Sequence, residues 1–323
     1  MKKKNFLIKT LVAVFALVVL GACSNDDDDD QIVITDPTIV DLADANDDLS
    51  ILVDALTAAD LVTTLQEAGP FTVLAPTNTA FQQFLTDNGF AGLGDIPSDV
   101  LRNVLLNHVI VGTAATSGGL TNSYLNTAAQ NADGDALSIY INTDSGVTFN
   151  GVSSVIDPDI EASNGIIHVV DAVIGLPDVT TFAVADPNFA TLVAALTAYP
   201  SFGYVSALQT PNGSTPAPFT VFAPTNEAFG DLLADLGGIE LGDIDEATLS
   251  SVLELHVLAA NNVRAEDLAG IDGANVPTLG GEDIVIDATT PAIIGPDSNG
   301  NTITATNVQA MNGVIHAIGR VIR

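Results

Sequence analysis

The chain of 323 residues carries 8 Lys and Arg against 40 Asp and Glu, a net charge of −32, and 47% of its residues are hydrophobic. This apolar fraction, with only 15% charged residues, is typical of a folded protein and excludes wholesale disorder. From Cys23 onward, four arginines stand against all 40 acids. A surface of this sign repels phosphate backbones, so the composition excludes a nucleic-acid partner.

Residues 1–22 have the order of a secretory signal peptide. All four lysines lie in the first nine residues, and the apolar run from Thr10 to Leu20 is shorter than the ~20 residues of a membrane-spanning helix. The sequence LGAC at 20–23 resembles the bacterial lipobox, in which the Cys is acylated and becomes the new amino terminus. Cys23 is the only Cys of the chain and has no disulfide partner within it. We therefore expect a lipoprotein signal peptide and lipidation of Cys23; the alternative is an ordinary signal peptide with an incidental Cys.

Residues 23–35 are predicted to form an acidic tether. The tether contains five consecutive aspartates: Asp26, Asp27, Asp28, Asp29 and Asp30. Like charges in a run stay extended and solvated, which suits a spacer, and no geometry is fixed for calcium. An acidic run directly after a lipidated Cys also resembles a surface-export signal of bacterial lipoproteins. We expect an outer-membrane lipoprotein that is exposed on the cell surface, with the outer membrane as one partner through Cys23.

Helical patterns come first after the tether. The apolar spacing over 49–56 predicts a helix, and FTVL at 71–74 predicts a short strand, followed by a Thr-Asn pair that can cap a second helix. The spacing over 101–108 predicts another helix with His108 on its apolar face. Apolar runs separated by turn residues then predict strands over 136–142, 147–150 and 165–174, and later over 284–288, 302–306 and 313–322.

Two long motifs recur at an offset of 148 residues. FTVLAPTNTAF at 71–81 returns as FTVFAPTNEAF at 219–229, and NGIIHVVDAVI at 164–174 returns as NGVIHAIGRVI at 312–322. A repeat of this length has the size of a domain. The sequence predicts two tandem domains, a first repeat over 36–177 and a second repeat over 178–323. Helices segregated from a mainly antiparallel sheet predict the α+β class for each.

The two motifs, in this order and spacing in both repeats, resemble the fasciclin (FAS1) domain. The resemblance covers everything beyond the signal and the tether. It implies a β-sandwich or wedge packed with helices, in secreted or surface-tethered proteins that mediate adhesion and contacts with the extracellular matrix.

The four histidines are the best candidates for chemistry. They lie at His108, His168, His256 and His316, each pair 60 residues apart. A metal needs three or four ligands, and no further Cys or His is at hand to supply them. Buried histidines that stabilise the fold are the favoured interpretation over metal or acid-base function. No nucleophile motif, phosphate-binding loop or singled-out carboxylate pair occurs, so we expect no enzyme and no cofactor or metal. The spacing Asp297, Asn299 and Asn301 faintly resembles a calcium loop, but no Glu closes it, which favours a hairpin tip.

For partner binding, the resemblance directs attention to Asp159 and Ile160, since an Asp-Ile pair at this place in the family is linked with receptor contact. The second repeat has Asn307 and Val308 there and lacks the charge. The alternative is a polar turn between strands with Ile160 tucked inward. The predicted function is adhesion or matrix interaction with a surface protein or polysaccharide; the alternative is an accessory protein of the envelope that binds a polysaccharide or a small ligand.

Overall fold

The computed structural model describes residues 36–290, 292–298 and 300–323. In the first repeat, helices precede most of the strands along the chain. The helices are α1 (Ile39–Asp44), α2 (Ser50–Ala58), α3 (Val62–Leu65), α4 (Asn78–Asp87) and α5 (Ser98–Leu106). The strands are β1 (Phe71–Pro76), β2 (Val109–Val111), β3 (Ser123–Gln130), β4 (Ala136–Asn142), β5 (Thr148–Phe149), β6 (Ser153–Ala162) and β7 (Gly165–Val170).

The second repeat follows the same plan. Its helices are α6 (Val179–Ala185), α7 (Ala190–Leu196), α8 (Tyr204–Leu208), α9 (Asn226–Asp235) and α10 (Glu246–Glu254). Its strands are β8 (Phe219–Pro224), β9 (Val257–Ala259), β10 (Asn275–Pro277), β11 (Asp283–Asp287), β12 (Ala292–Ile294), β13 (Gly300–Ala310) and β14 (Gly313–Ile318). The predicted α+β class is confirmed.

Each repeat contains one seven-stranded mixed sheet. The strand order is β2-β1-β7-β6-β5-β4-β3 in the first repeat, and β10-β11-β12-β13-β14-β8-β9, the corresponding order read backwards, in the second. Neighbouring strands are antiparallel except for the central pairs β1 with β7 and β8 with β14, which are parallel. The first sheet curls until β2 and β3, its two ends, lie close together. This curl gives the sheet an inside and an outside that both need apolar residues.

Both faces of the central strands are buried. Val73 and Ala75 of β1 pack with the helices, whereas Leu74 between them belongs to a second core inside the curl, together with Ile139 and Phe149. Successive side chains of a strand point to opposite faces, so a strand covered on both sides consists of a continuous apolar run. This explains the unbroken pattern of the FTV motif.

The two recurring motifs are neighbours in the sheet. β1 and β7 run in parallel register from Phe71 opposite Gly165 to Pro76 opposite Val170. In the second repeat Phe219 lies opposite Gly313 in the same register. Motifs separated by about 93 residues in sequence therefore form one hydrogen-bonded unit at the centre of each repeat.

The Asn of the NG motif secures this unit. Asn164 accepts a hydrogen bond from the backbone N of Ile39 (3.0 Å) and donates to the carbonyl oxygens of Leu65 (2.8 Å) and Glu67 (2.9 Å). Asn312 makes the three corresponding bonds in the second repeat. The side chain thus joins the start of α1 to the end of α3 beside the central strand pair, in a buried place where unpaired backbone groups are costly.

The Thr-Asn pair after β1 begins the next helix. Thr77 caps α4 by accepting from the backbone N of Ala80 (3.2 Å). Asn78 accepts from the backbone N of Ile51 (2.8 Å) and donates to the carbonyl oxygen of Asp47 (2.9 Å), which ties α4 to the start of α2. The pair in the second repeat makes the corresponding bonds.

The sequence patterns missed β6. A polar turn was one expectation for residues 157–160, but they lie inside this strand. The register between β6 and β7 shifts twice between Val155 and Ile160. Asp159 sits at the bulge with a positive φ of 62°. The predicted strand over 302–306 is likewise only the middle of the longer β13.

Candidate functional site

His108 and His256 are buried just beyond α5 and α10. Nε2 of His108 accepts from the backbone N of Ile174 (2.9 Å), so the ring proton is on Nδ1, which donates to the carbonyl oxygen of Val104 (2.7 Å). His256 makes the corresponding bonds. Burial lowers the pKa of both rings to about 4. Both histidines are therefore neutral at pH 7, and both nitrogens of each ring are engaged with the backbone.

His168 and His316 are buried in the central strands β7 and β14. Nε2 of His168 lies 2.9 Å from the carbonyl oxygen of Ala115, and its Nδ1 accepts from the backbone N of Asp159 (3.2 Å). Nε2 of His316 lies 2.9 Å from the carbonyl oxygen of Val263, and burial lowers the pKa of His316. Each ring holds the loop that follows β2 or β9 against the sheet, so these bonds serve the fold.

Metal-ligating side chains do not cluster in the part of the chain that the structure describes: no group of three or more His, Cys, Asp or Glu there is placed to hold an ion. In the segment 297–301, whose spacing faintly resembles a calcium loop, Oδ2 of Asp297 lies 3.4 Å from Nε of Arg323. Asn299 of that spacing lies outside the described residues.

Asp159 connects β6 to the loop before β3. Its carboxylate accepts two hydrogen bonds of 2.6 Å from Ser117, one from the hydroxyl and one from the backbone N, and these bonds lower the pKa of Asp159. The side chain stays 38% exposed. Ile160 is half-buried against the core on the helix side. The structure thus brings both predicted residues to one strand, with the carboxylate at the surface and Ile160 directed to the core.

Asn307 makes the corresponding backbone contact in the second repeat. It also has a positive φ, 59°, and its Oδ1 accepts from the backbone N of Ala265 (2.8 Å), the counterpart of Ser117. Its Nδ2 donates to Glu266 (2.9 Å). Because an amide fills this place as well as a carboxylate, the negative charge of Asp159 is not needed for the bulge.

The two repeats are joined by a polar junction that the sequence patterns did not reveal. Nη1 of Arg264 lies 2.6 Å from Asp135, and both side chains are only 22% exposed. Asn262 donates to the other carboxylate oxygen of Asp135 (3.2 Å), and the backbone N of Gln309 donates to the hydroxyl of Ser138 (2.9 Å). A half-buried, charge-assisted pair within such a network specifies one arrangement of the repeats. The scarcity of arginine could have drawn attention to this residue, because Arg264 is one of only four arginines from Cys23 onward.

The junction joins the repeats head to tail, so different faces of the same fold meet. β13 of the second repeat packs beside β4 of the first, which buries Val308 and Gln309. Their counterparts in the first repeat are Ile160, half-buried, and Glu161, exposed. We call the exposed surface of this strand the open β6 face; it consists of Ile156, Asp157, Asp159 and Glu161. At the corresponding positions of the second repeat, Gln309 is buried and Asn307 is half-buried, whereas Thr304 and Ala305 are exposed.

A cleft of about 330 Å³ lies beside the junction. Tyr124 and Tyr140 of the first repeat line it opposite Asp186 and Thr225 of the second. The Tyr124 hydroxyl donates to Asp186 (2.9 Å), and burial together with this carboxylate raises the pKa of Tyr124. No cationic side chain is among the described residues that line the cleft. Its polar and aromatic wall suits neutral or cationic ligands.

Comparison with known proteins decides the family. The family model described as the fasciclin domain matches residues 47–177 and 187–323, which is most of the chain. The protein belongs to the fasciclin-domain family. Fasciclin domains are generally non-catalytic binding domains, typical of adhesion and matrix-interacting proteins that are secreted or lie at the cell surface.

Relatives match either the pair or one repeat. Human periostin is 28% identical over 291 residues, which cover 88% of this chain and 31% of periostin. The uncharacterized Synechocystis protein sll1735 is 39% identical over 138 residues, which cover 43% of this chain and 97% of that protein. Among solved structures, a FAS1 domain pair from the insect cell adhesion molecule fasciclin I is 20% identical, with coverage of 85% of this chain and 95% of that chain and a TM-score of 0.49. The chain thus spans about a third of the length of periostin.

The predicted anchor residues, Cys23 and Asp26 to Asp30, lie outside the described residues. Within the described ranges, no single helix has the length and apolar composition to cross a membrane. One bent pair, Val179–Ala185 with Pro187–Leu196, meets those two criteria when taken together, at an angle of 96°.

Proposed function

We propose that the protein is a lipid-anchored cell-surface protein that acts in adhesion or in contacts with the extracellular matrix, through binding surfaces and without catalysis. The open β6 face is the observation that carries this proposal. Within this chain, one end of the corresponding strand in the second repeat, Val308 and Gln309, already packs against a folded unit, namely the first repeat. A strand end that packs against protein in one copy and is open in the other is a natural place for a partner.

The chemistry of the open β6 face specifies the kind of partner. Asp157, Asp159 and Glu161 are exposed on it, and Ile156 is 55% exposed among them. At the internal junction an arginine of one repeat meets an aspartate of the other. We infer a partner that presents basic side chains around an apolar contact, because opposite charges steer association and apolar contacts strengthen it.

The absence of catalysis is supported by the histidines. Seven of their eight ring nitrogens are engaged with backbone groups, and the remaining one, Nδ1 of His316, is buried without a hydrogen-bond partner in the described part of the chain. Acid-base catalysis needs a group that reaches a substrate proton. These rings instead stabilise the strands and loops that shape the binding surfaces.

Replacing Asp159 by asparagine tests the binding site. We expect Asp159→Asn to keep the fold within about 1 kcal/mol, because Asn307 makes the same backbone bond, and to weaken capture of its partner severalfold. The measurement is a pull-down of cell-surface proteins and matrix polysaccharides on the purified protein, with urea unfolding in parallel. Asp54→Asn, an exposed carboxylate on α2, is the matched control. Equal capture by wild type and Asp159→Asn would assign the contact to another surface.

The anchor and its orientation are tested on intact cells. We expect protease added outside to remove the protein from cells, and Cys23→Ala to release it from the membrane fraction. Replacing Asp26 to Asp30 by asparagine is expected to leave the protein membrane-bound but protected, because the export signal is lost while the lipid remains. Full protection of the wild-type protein from external protease would contradict the surface location.

The junction cleft favours a second function, binding of a polysaccharide or of a small ligand as an accessory protein of the envelope. Tyr124 and Tyr140 lie 4.9 Å apart between ring centroids beside several hydrogen-bonding groups. Aromatic rings with convergent polar groups are a common arrangement in ligand sites at domain interfaces. Capture of polysaccharide that is insensitive to Asp159→Asn but lost in Tyr124→Ala would favour this alternative.

A further inference from the structure

A cavity of about 120 Å³ lies in the second repeat, between α6, α7, α8 and β8. Its wall consists of Val, Leu, Ala, Phe and Ile side chains, and the polar members of the lining are Thr180, Gln209 and His256. The cavity has no part in the junction or in the open β6 face.

The corresponding region of the first repeat has a leucine where the second repeat has Tyr204. The bonds of Asn164 to Leu65 and of Asn312 to Leu208 align α3 with α8, which pairs Leu61 with Tyr204. Leu61 is 1% exposed in the core of the first repeat. Tyr204 is half-buried, and its hydroxyl donates to Glu254 (2.6 Å).

The cavity opens to solvent through an apolar rim. Val184 is 73% exposed and Val205 is 37% exposed, and both belong to the lining. The counterpart of Val184 in the first repeat is the exposed Asp44. In a chain whose surface is dominated by acids, exposed valines at the entrance to an apolar cavity suit the entry of an apolar molecule.

In the part of the chain that the structure describes, the interior offers no charged side chain. Both nitrogens of His256 are engaged with backbone groups, so the ring presents only carbon to the cavity. Thr180 and Gln209 lie at one side, where Nε2 of Gln209 is 3.4 Å from the Thr180 hydroxyl. An apolar cavity of roughly 150 Å³ stays dry and accepts a benzene-sized molecule. A charged ligand would lose its hydration without compensation.

We propose that this cavity is a binding site for a small uncharged ligand whose apolar body, an alkyl chain or ring of about six carbons, fills the cavity. A neutral hydrogen-bonding end of the ligand lies at Thr180 and Gln209. The site is independent of the adhesion function.

The test uses the purified full chain with 1-hexanol as the probe and hexanoate as its charged counterpart. Methyl NMR is expected to show saturable shifts of lining residues such as Leu196 and Val205 with 1-hexanol, and at least tenfold weaker binding of hexanoate. Ala183→Leu places three further carbons in the cavity, and it is expected to weaken 1-hexanol binding at least tenfold. Ala234→Leu, the same change at an exposed position of α9, is expected to bind as the wild type does.

Two results would overturn the proposal. The first is the absence of a saturable shift in the wild-type protein, and the second is undiminished binding in a folded Ala183→Leu variant. Circular dichroism verifies folding of each variant. If Ala183→Leu does not fold, Leu196→Phe fills the same cavity from α7 and carries the same expectation.

Discussion

Replacing Gly165 by alanine is expected to unfold the first repeat. A Cβ at this position would lie 2.1 Å from the carbonyl oxygen of Phe71 and 2.9 Å from its backbone N. These are backbone atoms of the paired strand β1, so no side-chain rotation relieves the contact and β7 must move away. We expect a loss of at least about 4 kcal/mol, against a typical domain stability of about 5–15 kcal/mol.

Hydrogen exchange measures the effect of this substitution on each repeat individually. Amides of Val73 and Ile167 are expected to lose protection in Gly165→Ala, whereas those of Val221 and Ile315 in the second repeat retain it. Gly175→Ala is the matched control, because no atom lies within 4 Å of a Cβ built there. Unchanged protection of the first repeat in Gly165→Ala would show that β1 and β7 are not paired in this register.

Lowering the pH from 7 to 5 is expected to destabilise both repeats through His108 and His256. The folded-state pKa of each ring is about 4, below the unfolded value of 6.5, because burial disfavours the charged form. The contribution to stability is complete above pH 6.5 and declines as the pH falls, since the unfolded chain then binds protons that the folded chain does not. The expected loss is about 2 kcal/mol per histidine at pH 5 and about 3 at pH 4.

Urea unfolding followed by circular dichroism between pH 7 and pH 5 measures this effect. His108→Gln and His256→Gln are each expected to lower stability at pH 7 and to flatten the pH dependence of their own repeat. Asp41, Asp159 and Asp245 have lowered pKa values through hydrogen bonds, so their contributions are lost only below about pH 4, outside this window. An equal pH slope in wild type and in the double variant would contradict the assignment.

The central part of each repeat was predictable from the sequence because local patterns and long-range packing agree there. The FTV run, the Thr-Asn cap and the apolar face that ends at His108 each predict an element that the structure contains. Duplication strengthened the inference, since the same motifs recur at one offset. Asn164 and Gly165 were recognisable in the sequence as part of a repeated motif. The sequence did not show why they occur there: Gly165 allows the close approach of the β1 backbone, and Asn164 makes three hydrogen bonds.

β6 was missed because its composition argues against a strand. Pro158 and three acids lie within its exposed half, and strand patterns depend on alternating or continuous apolar residues. The strand exists because β7 and β5 pair with it on either side. Asp159 occupies a bulge that only this pairing creates, which is why a turn was a reasonable expectation.

Sequence patterns alone were enough to predict two copies of one α+β domain, with the central strands and the four buried histidines at their places. These features depend on apolar periodicity and on turn and cap residues, which act over a few neighbours. Which surfaces remain exposed depends on how the two repeats pack together. Glu161 is exposed whereas its counterpart Gln309 is buried where β13 packs beside β4, at the junction where Arg264 contacts Asp135 across 129 residues, and the cavity lies between α6, α7, α8 and β8. Such contacts join side chains distant in sequence, and no local pattern encodes them.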